Sequence, residues 1–189
     1  MRVEYISISD FYSNPDDMRK FLLTQTFNRA DHYPGLRTKS YLDDSVKNTI
    51  QTYIRPFAGE VTWWGNEDSG AFQYATSQDR SWMHVDATSW AGICYLTPDA
   101  PLSSGTGLFR HKATKVMNYK WGTKEENDAA PHAKQYQDMT KWELVDRIGN
   151  VYNKLILYRG NLFHTSLDYF GNTLEDGRLF QTFFFNTEK

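Results

Sequence analysis

Three side chains able to hold a metal ion stand out by their setting. His84 and Asp86 are separated by one residue, and His164 lies in the apolar run Asn161-Leu162-Phe163-His164-Thr165-Ser166. Residues at i and i+2 of an extended chain point to the same face, so His84-Val85-Asp86 offers an imidazole and a carboxylate to one ion. Alone, such a tripeptide is as readily a structural pair or a surface salt bridge. His164 adds weight, because an imidazole in an apolar strand must either bond to backbone or meet a partner. Two imidazoles and one carboxylate from separate strands form a facial triad that leaves three metal positions open, an arrangement suited to non-haem iron(II) and oxygen chemistry. Zinc also accepts these ligands.

Arg178 favours the first metal. It opens the segment Leu179-Phe180-Gln181-Thr182-Phe183-Phe184-Phe185, which is apolar on both faces. A guanidinium entering such a strand needs an anion, since an unpaired buried charge costs several kcal/mol. A dicarboxylate that bridges the metal and this arginine satisfies both ends; at a strand mouth, Asp168, Glu175 or solvent would serve it instead.

These four residues need a β framework, and the composition supplies one. The chain has 189 residues, 40% of them hydrophobic, with 12 Phe, 12 Tyr and 6 Trp. At that length roughly 70% of the unfolded surface is buried on folding, which excludes a disordered or collagen-like chain. Asn14-Pro15-Asp16-Asp17 predicts a helix start, followed by the apolar face Met18, Phe21 and Leu22. A second helix is expected over Asp43 to Tyr53, stopped by Pro56, with Tyr33-Pro34-Gly35 as a turn between them. From Glu60 the pattern changes to short aromatic and β-branched segments, the mark of a sandwich or barrel. Strands are expected at 61–64, 72–76, 82–86, 91–96, 107–111, 151–158, 161–166 and 179–186. Asn118 to Asp138 is polar and reads as an insertion near a site or a plain surface excursion, followed by a helix over Met139 to Arg147.

The order His84-x-Asp86, His164, Arg178 on short strands resembles the iron(II)/2-oxoglutarate-dependent dioxygenase superfamily. Gly105-Thr106-Gly107-Leu108-Phe109-Arg110-His111-Lys112 is similar to a glycine-rich strand of small bacterial and phage members, related to prolyl or phytanoyl hydroxylases. The resemblance implies a double-stranded β-helix, or jelly roll, as one domain over 1–189. Residues 1–58 form a helical support, and 60–186 form the core with an insertion at 118–148. It implies iron(II) on His84, Asp86 and His164, with 2-oxoglutarate on that metal and its 5-carboxylate on Arg178. Hydroxylation of a C–H bond would then yield succinate and CO₂, with ascorbate serving as reductant in vitro. Relatives often place a serine two residues after the arginine, where this chain has Phe180, so Tyr74 or Thr182 is expected to supply the hydroxyl.

Arg110 and His111 are candidates for touching substrate, although a short basic run is also a common solvated rim. His32 and His132 have no partner pattern. Cys94, in Ala91-Gly92-Ile93-Cys94-Tyr95-Leu96, reads as a small buried hydrophobe. A single cysteine excludes a disulfide scaffold and fits a reducing compartment, the cytoplasm. The N-terminal residues carry no signal-peptide core, and the longest apolar runs are too short to cross a bilayer. With 21 basic and 23 acidic residues, the formal charge of −2 gives no pull toward nucleic acid. A small molecule, an amino acid or a peptide segment remains as substrate. A cupin-like metal protein would keep the triad but need no arginine site, and a recognition module would need neither.

Overall fold

The computed structural model describes residues 2–29, 33–120, 122 and 135–189. The first helix, α1 (Pro15–Leu22), starts where Pro15 pre-sets φ and Asp16 and Asp17 meet the positive end of the helix dipole. In the second, α2 (Asp44–Ala58), the Asp43 carboxylate caps the start by accepting from the Val46 N–H at 2.8 Å. Pro56 does not stop α2, which runs two residues further and ends at Gly59, at φ +77°. Val46, Ile50, Ile54 and Ala58 repeat at intervals of four and are all buried. Burial of that stripe outweighs the one hydrogen bond that proline removes from the last turn.

Both helices cover one face of a seven-stranded antiparallel sheet. Its centre is β10 (Arg178–Thr187). On one side of it lie β5 (Trp90–Tyr95), β8 (Leu155–Arg159) and β1 (Tyr5–Ile8); on the other lie β4 (Ala71–Ala75) and β2 (Leu36–Ser40), while β3 (Val61–Trp64) pairs with its far end. Alternation along β10 sorts its side chains. Leu179, Phe183 and Phe185 join the helix-side core with Leu22, Ile50 and Ile54, whereas Arg178, Phe180, Thr182 and Phe184 face the other way. There Phe180 packs with Ile93, Tyr95, Ile156 and Tyr158. A second, three-stranded sheet of β7 (Trp142–Ile148), β6 (Thr106–His111) and β9 (His164–Ser166) completes the double-stranded β-helix.

Five expectations change. The helix expected over Met139 to Arg147 is a short 3₁₀ turn, Met139–Lys141, followed by β7, because pairing along the whole of β6 buries Trp142 and Ile148 on the two sides of the ladder. Residues 142–148 therefore belong to the core and not to an insertion at 118–148. The N-terminal 58 residues are more than helical support, since β1 and β2 extend opposite sides of the large sheet. The strand expected at 82–86 is a single bridge, His84 to His164. The strand expected from Val151 begins only at Leu155, after a turn in which Asn153 takes φ +59°. Much of the 118–138 segment, with His32 and His132, lies outside the described residues. Its near end is anchored: Tyr119 is buried and donates to the Asn161 carbonyl at 2.7 Å. Among the described residues no helix is long and apolar enough to cross a membrane.

Gly105 opens β6 at a close approach of two strands. A Cβ there would lie 1.8 Å from the Ile148 carbonyl oxygen, whereas at neighbouring Gly149 its closest contacts are ordinary ones at 3.6 Å to Leu102. Gly105→Ala is expected to lower unfolding stability by about 2 kcal/mol or more. Gly149→Ala should change it by less than about 1 kcal/mol in either direction. Urea denaturation of the two variants measures the difference.

Candidate metal centre

The site forms where the segment before β5 is tied to β9. His84 and His164 exchange both backbone hydrogen bonds, at 3.1 and 3.0 Å, which sets their rings side by side with centroids 4.3 Å apart. Two residues on, the Asp86 N–H donates to the Gly160 carbonyl at 2.7 Å. Gly160 is needed there, because a Cβ would lie 2.2 Å from the Thr88 carbonyl oxygen and 3.3 Å from Asp86 Cβ. One ligand atom from each of His84, Asp86 and His164 lies within 4.8 Å of the others.

Hydrogen bonding fixes which ring nitrogens are offered. His84 Nδ1 lies 3.0 Å from the Trp82 carbonyl oxygen, and His164 Nδ1 lies 2.8 Å from that of Leu162. A carbonyl only accepts, so Nδ1 carries the proton in both rings and Nε2 presents a lone pair. His164 Nε2 faces Asp86 Oδ2 at 3.2 Å, and among the described residues that buried oxygen has no hydrogen-bond partner. Two electron pairs turned toward each other in a shielded place need a cation between them, either a proton shared by His164 and Asp86 or a metal ion in its stead.

The electrostatics agree. Burial, followed by the neighbouring His164, pulls the His84 pKa down to about 4, so that ring is neutral and ready to ligate. Burial works to raise the Asp86 carboxyl, but His164, His84 and Arg37 outweigh it and hold it below the ordinary aspartate value. Tyr158 closes one side with its ring 4.6 Å from that of His164, and burial keeps its phenol protonated.

The triad opens into a cavity of about 490 Å³ between the two sheets, walled by Trp63, Trp82, Tyr158, Tyr169 and Phe180. Arg178 lies behind that wall, fully buried. Its Nε donates to the Ser104 carbonyl at 2.8 Å and its Nη2 to that of Gly105 at 3.4 Å, and its Cζ is 4.4 Å from the Phe180 ring centroid. Among the described residues its buried Nη1 has no hydrogen-bond partner. A buried cation with a free fork position is what an incoming carboxylate requires.

The remaining candidates divide by the face on which they lie. Tyr74 pairs in register with Leu179 on the helix side of the sheet, against Phe27, and does not line the cavity. Thr182 does line it, but its hydroxyl donates to the Asp68 carbonyl at 2.7 Å and has no proton left for an anion. Hydroxyls that sequence reasoning missed lie on the inner face instead. Tyr95 and Thr106 are hydrogen-bonded to each other at 2.8 Å, with the Tyr95 ring 5.4 Å from Arg178 Cζ. The alternation of Ala91 to Leu96 against Phe180 could have pointed to Tyr95. Arg110 pairs with Glu143 across β6 and β7 at 2.7 Å. His111 is buried against Trp142, with its two nitrogens on Thr114 Oγ1 and Gln135 Oε1 at 2.9 and 2.8 Å. Neither lines the cavity, because both lie at the far end of β6 from Thr106. Burial also pushes the Cys94 thiol pKa up, as fits an inert residue.

Comparison with known proteins adds a family and a fold. A family model described as a family of unknown function, DUF6445, matches residues 2–185. No curated protein matches. HygX from Streptomyces hygroscopicus, solved with nickel and 2-oxoglutarate bound, is similar over 98% of this chain and 83% of its own, with a TM-score of 0.63 and 9% identity. A prolyl hydroxylase from Trichoplax adhaerens, solved with a hypoxia inducible factor peptide fragment, gives a TM-score of 0.53 at 10% identity over 96% and 83% of the two chains. The α-ketoglutarate-dependent epimerase SnoN of nogalamycin biosynthesis gives 0.54 at 10% over 97% and 78%. What these three structures share with this chain is the fold.

Two nitrogens and one carboxylate oxygen fit iron(II), and manganese(II) is a redox-quiet stand-in. Manganese at about a hundredfold excess over its dissociation constant is expected to stabilise the protein by about 2.7 kcal/mol, raising its melting temperature by roughly 5–10 °C. Asp86→Ala and His164→Ala should lose that rise, which differential scanning calorimetry reads directly.

Proposed function

We propose that this chain, which belongs to the family DUF6445, is an oxygenase that uses iron(II) and 2-oxoglutarate to hydroxylate a C–H bond of an organic substrate. The observation that carries this reading is Arg178, buried with Nη1 unpartnered beside the cavity into which the His84, Asp86 and His164 ligand atoms open. A metal protein without a cosubstrate would leave that Nη1 unanswered. The nickel and 2-oxoglutarate bound by HygX on the same fold lend support.

His84, Asp86 and His164 would hold the iron through Nε2, a carboxylate oxygen and Nε2. Backbone carbonyls of Trp82 and Leu162 keep the two rings in the ligating tautomer. Arg178 would take the 5-carboxylate of 2-oxoglutarate on Nη1, while Ser104 and Gly105 prevent the guanidinium from turning away. The Tyr95 and Thr106 hydroxyls, already paired with each other, stand beside it to bond a second carboxylate oxygen. Tyr158 and Phe180 keep water from the ligand-bearing wall. When bound, iron(II) and 2-oxoglutarate supply oxidising power from O₂, with succinate and CO₂ as co-products and ascorbate to restore the ferrous metal.

Anaerobic addition of 2-oxoglutarate to the iron(II)-loaded protein should produce a visible metal-to-ligand charge-transfer band. In Arg178→Met the iron affinity should stay near wild type while 2-oxoglutarate affinity falls about a hundredfold or more, the equivalent of roughly 3 kcal/mol. Arg178→Lys should fall between them, since it keeps charge but loses the planar fork. Equal affinities in wild type and Arg178→Met, read by calorimetry, would remove the cosubstrate from this reading.

A further inference from the structure

A second arginine faces the cavity from another wall. Arg37, on β2, is opposite Gln73 of β4 in register, and its Nε and Nη2 donate to Gln73 Oε1 at 3.0 and 2.5 Å. Its Nη1 donates to Asp68 Oδ1 at 2.5 Å, and its Cζ lies 4.0 Å from the Tyr33 ring centroid. The ion pair is lopsided. The Arg37 side chain is 9% exposed and that of Asp68 45%, so the cation is turned inward while its counter-ion stands at the rim, where water screens it.

Arg37 also lies where the cavity meets the outside. A second hollow of about 640 Å³ shares Tyr33, Arg37, Asn66 and Asp68 with the first and adds Arg29, Lys39 and Glu67. A molecule entering through this second hollow would meet Tyr33 and Arg37 before it reached the metal ligands. Three of the five guanidinium N–H groups serve the bonds to Gln73 and Asp68, which leaves donors for a ligand. The aromatic rings of Tyr33, Trp63 and Trp82 flank the passage.

We infer that Arg37 anchors an oxyanion of the substrate, a carboxylate or a phosphate, so that this group is held at the mouth while the carbon to be oxidised projects toward His84, Asp86 and His164. Gln73 presets the guanidinium plane, and Asp68 is the partner the oxyanion displaces. The substrate is accordingly an anionic molecule longer than the group that reacts. This inference rests on the oxygenase reading for the fate of the carbon, and on geometry alone for the anion.

The test uses manganese(II)-loaded protein saturated with 2-oxoglutarate and ligand-observed NMR titration with two matched pairs of probes. These are N-acetylglycine against N-acetylglycinamide, and glycerol 3-phosphate against glycerol. One charged probe should bind at least about tenfold more tightly than its neutral partner, and the pair that shows this names the oxyanion. Arg37→Gln should reduce the preference to about twofold or less, Arg37→Lys should keep part of it, and Asp68→Asn should tighten the charged probe several-fold by removing its competitor. Affinity for 2-oxoglutarate should stay within about threefold of wild type in all three variants, which also certifies that they fold. No preference in the wild type, or the same preference in Arg37→Gln, overturns the inference. So does a loss of 2-oxoglutarate affinity in Arg37→Gln, which would make Arg37 the cosubstrate anchor. If the wild type fails to bind 2-oxoglutarate at all, the oxygenase reading falls, while the same probes on the manganese-only protein still decide the role of Arg37.

Discussion

Two backbone hydrogen bonds between His84 and His164 hold the site together. The segment bearing His84 and Asp86 belongs to no strand, and its position relative to β9 is set by that bridge and by the Asp86 N–H on Gly160. Without them the three ligand atoms come from independent pieces of chain. With them, one peptide-scale constraint fixes two imidazoles and aims a carboxylate, and the outer bonds to Trp82 and Leu162 choose the tautomer. The arrangement leaves Asp86 Oδ2 buried and unpaired, a local cost of the kind functional sites commonly carry.

The other half of the site depends on β10. Because side chains alternate across a strand, one run of residues serves two environments, with Leu179, Phe183 and Phe185 under the helices and Arg178, Phe180 and Thr182 toward the cavity. Arg178 is held by carbonyls at the start of β6, in the opposite sheet, so the guanidinium also links the two layers. A slip of one residue in the pairing of β10 would exchange the two sets and bury the arginine among leucines and phenylalanines.

The convergence of His84, Asp86 and His164, and the burial of Arg178, were legible in the sequence because each residue is odd in its setting: an imidazole in an apolar strand, a guanidinium heading a phenylalanine run, a His-x-Asp. Most of the large sheet was legible for the same reason, as aromatic and β-branched runs between turn residues. What failed needed long-range information. Whether Tyr74 or Gln73 faces the cavity depends on which side of β4 the helices cover, and no local pattern states that. Met139 to Arg147 looks helical, and Trp142–Ile148 becomes a strand only because β6 is there to pair with it. Tyr5–Ile8 and Leu36–Ser40 are short and mostly polar, and they join the sheet through partners far along the chain. Arg37 went unremarked because its neighbours Arg29 and Lys39 make the region read as ordinary charged surface.

The position of β10 has a consequence for assembly. It is the last described strand in the chain, yet it lies in the middle of the large sheet, and β5, β8 and β1 on one side meet β4 and β2 on the other only through it. Until it is laid down, each half presents a bare edge of unpaired N–H and C=O groups, the kind of surface that recruits foreign strands. Folding is therefore a late, concerted event dominated by contacts between distant residues, the regime in which all-β chains take milliseconds to seconds. Arg178, the residue proposed to take the cosubstrate, arrives on this same strand. A chain that has not closed its sheet thus also lacks the cation that would take 2-oxoglutarate, which couples competence for the proposed chemistry to completion of the fold.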